Sequence, residues 1–421
     1  MTRFAFVADD FTGATDALWQ FRRFGLSGSL VTDVAYLHDR DDVIGVATTA
    51  RASSDPADVV LPVFEALAAL EPLVIQYKIC STFDSSPESG SIGAVIADLH
   101  RAGLAHGPVP VLAAQPELGR YTWFANHFVR AGDEVRRLDR HPPTRDHPVT
   151  PATEADLRVR LTEQGAGRTG WLPAVPSREA YLARGEDAAF VADALTDEHV
   201  RALGHLLLAD AATRPPLVCV GSGGLSYALA SADAASLPPD PVGGSLGRPL
   251  EAVGGSLGRP LEAVAPLLVV SGSRSPVTGR QIDTAERAGW RVLDVGGGAS
   301  GSVFAEVEES LRSGCHTIVQ STRGPALDRD GIGESLGRVA SAAVRAGLVR
   351  RLVIAGGDTS GQVVAALGAR SLDVIALPAA GGPVCVLSSD DPACDGLEVA
   401  LKGGQVGAPD YFLRAASATT A

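Results

Sequence analysis

Phe4 to Asp16 reads FAFVADDFTGATD. Five apolar residues, Phe4 to Ala8, run into two adjacent carboxylates, Asp9 and Asp10, and Gly13 then opens a stretch of helical spacing that reaches Phe24. An apolar run, a polar or glycine-bearing loop and a helical stretch form the repeating unit of an α/β fold. The unit recurs as far as Ala230, with strands predicted at Phe4 to Ala8, Val43 to Thr48, Val74 to Ile79, Val109 to Ala113 and Leu217 to Val220, and a second helix at Gly93 to Ala102. Another alternating block begins at Leu267 to Val270 and continues through Val292 to Val295, Thr317 to Gln320 and Leu352 to Ala355. The predicted class is α/β: two domains, each a sheet flanked by helices, with the active site in a cleft between them.

Residues 1–230 and 267–421 are the predicted domains, and 231–266 is a connector rich in Gly, Pro, Ser and Leu. The connector holds a tandem duplication of VGGSLGRPLEA, at Val242 to Ala252 and Val253 to Ala263. Neither copy follows a strand and opens a helix, as an anion cradle requires, so a tolerated insertion in a flexible linker is the better reading.

The chain has 421 residues, and its 36 Lys and Arg against 49 Asp and Glu leave a net charge of −13, which repels nucleic acid and anionic membranes in the absence of a basic stripe. Five scattered cysteines, Cys80, Cys219, Cys315, Cys385 and Cys394, form no CxxC pair and fit a reducing compartment. Met1, Thr2 and Arg3 lead straight into the first strand, with no signal-like segment, and no apolar run reaches membrane-spanning length; a cytoplasmic protein is expected.

Ligands of open α/β sheets bind outside the carboxyl ends of the strands, which is where Asp9 and Asp10 fall. Two acids there suit a substrate hydroxyl, a general base or Mg2+; a helix N-cap made by Asp10 or Thr12 is the structural alternative. A second cluster follows the strand at Val74, in YKICSTFDSSPESGSIG from Tyr77 to Gly93. Lys78, Ser81, Thr82, Asp84, Ser85 and Ser86 match a small polyhydroxy carboxylate, the cation on the acid group and the hydroxyls on the carbons, or else a capped turn. Arg51 and Arg120, each just past a predicted strand, would add bidentate contacts to the carboxylate. His141, Asp146 and His147 lack metal-ligand spacing and read as loop packing.

In the second block, Ser271, Gly272 and Ser273 lead through Arg274 and Ser275 to Pro276 in a first helical turn. Gly356, Gly357, Asp358, Thr359 and Gly361 form a second loop into a helix, and Lys402, Gly403 and Gly404 a third. Three loops able to offer main-chain N–H groups to phosphate point to a nucleotide. Gly296, Gly298 and Gly301 match GxGxxG, but the next strand ends without a ribose-binding acid, and the P-loop spacing with its Lys is absent.

Taken in order, ADDFTGATD (Ala8 to Asp16), KICSTFDSSP (Lys78 to Pro87), SGSRSPVTGRQI (Ser271 to Ile282), AGGDTSG (Ala355 to Gly361) and ALKGGQVG (Ala400 to Gly407) resemble the four-carbon acid sugar kinase family, ATP-dependent kinases for threonate, erythronate, 3-oxotetronate and related acids. The resemblance spans nearly the whole chain and implies an N-terminal sugar-acid domain and a C-terminal ATP domain. It maps Ser273, Gly356 to Thr359 and Gly404 to the nucleotide, and Asp9, Asp10, Arg51, Lys78 and Asp84 to the substrate side. Thr49 stands where many members carry an acid two residues before the arginine, and Glu88 to Gly93 reads ESGSIG rather than RGNIG or KGNIG, which leaves open the exact acid, including the branched 3-oxo-isoapionate. The expected reaction moves the γ-phosphoryl group of ATP, with Mg2+, to the C4 hydroxyl. Lys78 and Arg51 hold the carboxylate, and Asp10 is favoured over Asp9 and Asp84 as base. Homo-oligomerisation stays open. An NAD-dependent hydroxyacid dehydrogenase would need the missing ribose acid, and a non-catalytic sugar-acid sensor would have no use for the three carboxylates.

Overall fold

The computed structural model describes residues 1–236, 261–295, 301–323, 329–379 and 381–417. Most of the duplicated connector, and Gly296 and Gly298 of the GxGxxG match, lie outside the described residues. Chain contacts divide the molecule into two units, Met1–Ser29 with Asp33–Pro249, and Leu30–Thr32 with Leu250–Ala421.

Up to Ser236 the chain folds as β1 (Phe4–Ala8), α1 (Phe11–Arg22), β2 (Gly28–Val31), β3 (Val43–Ala47), α2 (Pro56–Ala68), β4 (Val74–Lys78), α3 (Ile92–Arg101), β5 (Val109–Leu112), β6 (Arg120–Trp123), β7 (Asn126–Ala131), β8 (Glu134–Arg137), α4 (Pro142–Arg145), α5 (Leu157–Glu163), β9 (Thr169–Leu172), α6 (Arg178–Leu182), β10 (Ala189–Ala192), α7 (Asp197–Ala211), β11 (Leu217–Gly221) and α8 (Gly223–Ser236). The first unit's parallel sheet has the order β3-β1-β4-β11-β5-β10-β9. A parallel sheet is covered on both faces, so its strands are mostly apolar, and every residue of β1, β3, β4 and β11 is buried, Gln76 and Lys78 of β4 included. Ala8 lies opposite both Ala47 and Lys78, so three adjacent strands end level and their next residues emerge together. Helix α1 starts at Phe11, two residues before the predicted start, because Asp10 stays extended and its carboxylate caps the N–H of Gly13.

A separate antiparallel sheet, β6-β7-β8, did not register in the sequence pattern. Its first turn is made by Phe124 and Ala125, both with positive φ (51° and 61°), as a tight hairpin demands, yet neither is Gly, Asn or Asp. Asp193 offsets that strain by accepting from both turn N–H groups, at 2.7 and 2.9 Å.

The second unit carries β12 (Leu268–Ser271), α9 (Pro276–Arg287), β13 (Arg291–Asp294), α10 (Gly301–Arg312), β14 (Thr317–Gln320), α11 (Arg329–Arg345), β15 (Arg351–Ala355), α12 (Gly357–Ala366), β16 (Ala369–Ala376), β17 (Val384–Ser389), β18 (Glu398–Lys402) and α13 (Tyr411–Ala416). Five strands, β13-β14-β12-β15-β18, are parallel, and β17 and β16 extend the sheet antiparallel. Leu30 and Val31 pair antiparallel with Leu372 and Ser371, which places Leu30–Thr32 with this unit. Ser271 lies opposite Ala355, and Ala355 opposite Lys402, so these strands also end level. Beneath them pack Leu267, Val269, Ile318, Val353, Tyr411 and Phe412.

Candidate active site

The level ends of β1, β3 and β4 assemble the first constellation. Arg51, in the turn after β3, donates from Nε and NH2 to the two oxygens of Asp9 at 3.0 and 2.6 Å, and from NH1 to Asp10 Oδ2 at 2.6 Å. Asp10 also accepts from Thr12 Oγ1 at 2.6 Å and from the N–H of Gly13 at 2.7 Å. Lys78 is buried; its ammonium donates to the carbonyl of Ile79 at 3.0 Å and acts electrostatically on both carboxylates. A Cβ at residue 13 would stand 2.5 Å from Asp10 Oδ1 and 2.7 Å from Lys78 Nζ, so this close approach requires glycine. Two carboxylates face two cations, and the cluster is neutral.

The two acids differ in proton affinity. Burial pushes Asp9 above the ordinary carboxylate range and the charge of Asp10 adds to it, against the pull of Arg51 and Lys78. Burial acts on Asp10 too, but Arg51, Lys78, Thr12 and the Gly13 N–H outweigh it and hold that carboxyl below its usual value.

The loop after β4 is a scaffold for one acid. Thr82 Oγ1 donates to Asp84 Oδ1 at 2.8 Å and lies 2.9 Å from Cys80 Sγ. Ser85 Oγ donates to Gln164 at 2.9 Å and accepts from the N–H of Ile92 at 3.1 Å, anchoring the start of α3. His127, kept neutral by burial that lowers its pKa to about 4, holds the carbonyl of Ser81 at 2.8 Å. Phe83 is buried at φ +55°, strain that these bonds must hold in place. Burial raises the proton affinity of Asp84, but Arg51, His147 and the bonds from Thr82 and Cys80 more than offset it, so it stays ionised. Burial and Asp84 push the Cys80 thiol up to about 12, which rules out a thiolate nucleophile near neutrality.

In the second unit three loops leave β12, β15 and β18 side by side. The N–H groups of Gly272 and Ser273 bond the carbonyl of Ala355, and that of Gly356 bonds the carbonyl of Lys402. Thr278 Oγ1 ties the first loop to the third through Gly404 O, at 2.9 Å, and Gln281 Nε2 reaches the carbonyls of Val406, Gly407 and Ala408, each at 3.0 Å. A Cβ at Gly272 would lie 2.1 Å from Thr359 Oγ1. Helix α12 begins at Gly357 with no side-chain cap, so its first N–H groups offer the geometry that binds anions. Lys402 differs from a phosphate-binding lysine: its ammonium is fully buried and donates to Thr278 Oγ1 at 3.1 Å and Gly403 O at 2.9 Å, and burial lowers its pKa to about 7. A cavity of about 390 Å³ in this unit, lined by Val264, Trp290, His316 and Leu413 among others, opens at the amino ends of the strands, away from these loops.

A family model described as a sugar-binding N-terminal domain matches residues 4–229, and one described as a nucleotide-binding C-terminal domain matches 268–412. The chain belongs to the four-carbon acid sugar kinase family. Relatives of this kinase include a 3-oxo-isoapionate kinase of Paraburkholderia graminis, 34% identical over 97% of this chain and 93% of the relative. The 3-oxo-tetronate kinases of Pseudomonas fluorescens and Methylobacterium radiotolerans are each 32% identical, over 97% of this chain and 95% and 97% of theirs. Among solved structures, a Salmonella typhimurium LT2 protein described as a tRNA synthase shares the fold at TM-score 0.73 and 23% identity, covering 99% of this chain and 98% of its own. A Haemophilus influenzae protein does so at 0.66 and 22%, over 98% of both chains. At such identity only the fold is shared. The kinase is a phosphotransferase with an alcohol group as acceptor. Among its described residues no helix is long and apolar enough to cross a membrane.

Of the residues singled out in the sequence, the fold brings Asp9, Asp10, Thr12, Arg51 and Lys78 together at one set of strand ends, and Ser271, Gly272, Ser273, Gly356 to Thr359, Gly403 and Gly404 at another. Several are spent differently from expectation. Arg51 is held by Asp9 and Asp10 rather than left for a substrate carboxylate. The hydroxyls of Thr12, Thr82 and Ser85 bond protein groups. Gly361 lies in the second turn of α12, where N–H groups are consumed by the helix, so it offers no anion contact. Arg120 is buried and places NH1 on the carbonyl of Leu118 at 2.7 Å, but its Nε has no hydrogen-bond partner among the described residues and it stays open to the role expected of it. His141 and His147, in keeping with the loop-packing reading, make local contacts with Thr144 and Thr150. Arg160 and Gln164 were not anticipated, since each acts through an element distant in sequence and no motif marks them; Thr278 lies within SGSRSPVTGRQI but was not singled out there.

Proposed function

We propose that this kinase transfers the γ-phosphoryl group of ATP to the terminal C4 hydroxyl of a small 3-oxo sugar acid, 3-oxo-tetronate being the first choice and 3-oxo-isoapionate the second. Both names belong to relatives, and the two acids share the 3-oxo group. Residues 1–230 supply the acceptor site and 267–421 the donor site. The first N–H groups of α12 and those of the Gly403–Gly404 turn hold the phosphates, the N–H groups of Gly272, Ser273 and Gly356 being spent on the carbonyls of Ala355 and Lys402, and Lys402 shapes the third loop by drawing in its carbonyls. Mg2+ usually keeps several waters and takes only one or two carboxylates beside the phosphates, a requirement that Asp358 in the first turn of α12 fits; when bound, it neutralises phosphate charge.

Asp9 is the proposed base, in place of Asp10. The observation that carries this is the fork at the end of β1: Asp10 accepts from three donors, one of them the Gly13 N–H that caps α1, whereas Asp9 accepts from the Arg51 side chain alone and has the higher proton affinity. As the acceptor oxygen bonds to the γ-phosphorus and the bond to the ADP oxygen breaks, the hydroxyl proton passes to Asp9. Positioning and charge neutralisation supply most of the acceleration in such transfers. A coupled ADP-release assay over 3-oxo-tetronate, 3-oxo-isoapionate, threonate and erythronate tests the reading. ADP release that needs one of the 3-oxo acids is expected; equal rates without acceptor would count against it.

A further inference from the structure

If Arg51 and Lys78 are balanced by Asp9 and Asp10, another cation must meet the substrate's carboxylate. Arg120 opens β6 and Arg160 lies on α5, and they are only 8% and 6% exposed. Their hydrogen bonds go to main-chain carbonyls alone: Arg120 to Leu118 and Gly119, and Arg160 to Ser85 at 2.6 Å. Arg120 Nε and Arg160 NH1 are buried without a hydrogen-bond partner among the described residues. Neither guanidinium forms an ion pair there, in a chain whose net charge is −13.

Asp84 is the acid that both arginines feel, and Arg160 feels Glu163 and Glu154 as well. Asp84 sits in the loop that Arg160 grips on either side, over the ring of Phe83 at 5.4 Å and on the carbonyl of Ser85. Its own Oδ1 is taken by Thr82. His127 and His141, which also face Arg120, have their pKa values lowered to about 4 by burial and so add no charge near neutrality. Among the described residues no carboxylate comes within ion-pair distance of either guanidinium, and a desolvated cation without a contact partner is expensive unless a ligand anion meets it.

We infer that Arg120 and Arg160 form the seat for the carboxylate of the sugar acid. The inference rests on the acceptor class proposed above and reassigns its acid end from Lys78 and Arg51. Asp9 then takes the hydroxyl end, and Asp84 faces the hydroxyls between. A substrate fixed by C1 at the arginines presents its distal hydroxyl to the base, which accounts for a preference for C4.

The test compares 3-oxo-tetronate with erythrulose, the neutral four-carbon ketose that has CH2OH in place of the carboxylate. Isothermal titration is run on the full chain and on Arg160→Met, Arg160→Lys and Arg120→Met, with melting temperature as the check on folding. The wild type is expected to prefer the acid. Each Met variant should weaken acid binding by about 30-fold, the scale of one charge-assisted contact, and leave erythrulose within about threefold. Arg160→Lys, which keeps the charge and can still reach Ser85, should recover part of the loss. No preference for the acid in the wild type, equal losses for both ligands, or unchanged acid affinity in the variants would overturn the seat. ADP release measured alongside separates the two claims. Arginine-dependent acid binding without ATP turnover leaves the seat standing and sinks the kinase chemistry, whereas turnover with wild-type KM in both Met variants does the reverse.

Discussion

Asp9 and Asp10 are chemically identical neighbours, and only their surroundings separate them. Asp9→Asn keeps the shape and removes the proton acceptor; kcat is expected to fall by about 100-fold or more with KM for the sugar acid little changed, as initial-rate kinetics will show. A comparable fall in Asp10→Asn alone would move the role to its neighbour. Lys402 gives a pH signature. Its folded pKa, about 7, lies below the roughly 10.4 of an unfolded lysine, so the unfolded chain binds more protons between those values and stability rises with pH across that window. Relative to Lys402→Met, the wild type should gain about 2 kcal/mol between pH 7 and pH 9 in urea unfolding. A difference between the two proteins that is flat with pH would mean that the ammonium is not buried as described.

Strand ends that finish level are the device by which both units build their sites, because each parallel neighbour delivers its next residues to the same place. Close approach between the emerging loops is what glycine provides. Gly272→Ala, whose methyl would meet Thr359 Oγ1 at 2.1 Å, should shift the start of α12 and weaken Mg-ADP binding by about 10-fold in titration calorimetry. Much of this was legible in the sequence, since strands buried on both faces read as short apolar runs and their following loops as clusters of Gly, Ser and Asp. Other elements carried no signal. The β6-β7 hairpin turns on Phe124 and Ala125, and its strain is met by Asp193, far along the chain. β9 and β10 have four residues each, too few for periodicity to separate them from a helix or loop. Arg51 stood out in the sequence, but only the fold shows that its partners are Asp9 and Asp10. Arg160 lies on α5 and could be noticed only once its bond to Ser85 was seen.

At the scale of the whole chain, the two units broadly follow the two family models, described as sugar-binding and nucleotide-binding, and the proposal divides the chemistry between them in the same way. Binding should be separable accordingly. Gly357→Arg places a long side chain at the first position of α12, and is expected to abolish Mg-ATP binding in calorimetry while sugar-acid binding survives; loss of both would contradict the division. Burial of apolar side chains gives each unit its own core, so neither substitution at a loop should unfold the other half. The central claim is that the γ-phosphoryl group of ATP ends on the terminal carbon of a 3-oxo sugar acid. Proton-coupled phosphorus NMR of a reaction with ATP and 3-oxo-tetronate tests it directly. The account predicts a phosphomonoester signal split into a triplet by a CH2 group and equal in amount to the ADP formed; inorganic phosphate in its place, or an ester split by a single proton, would contradict it.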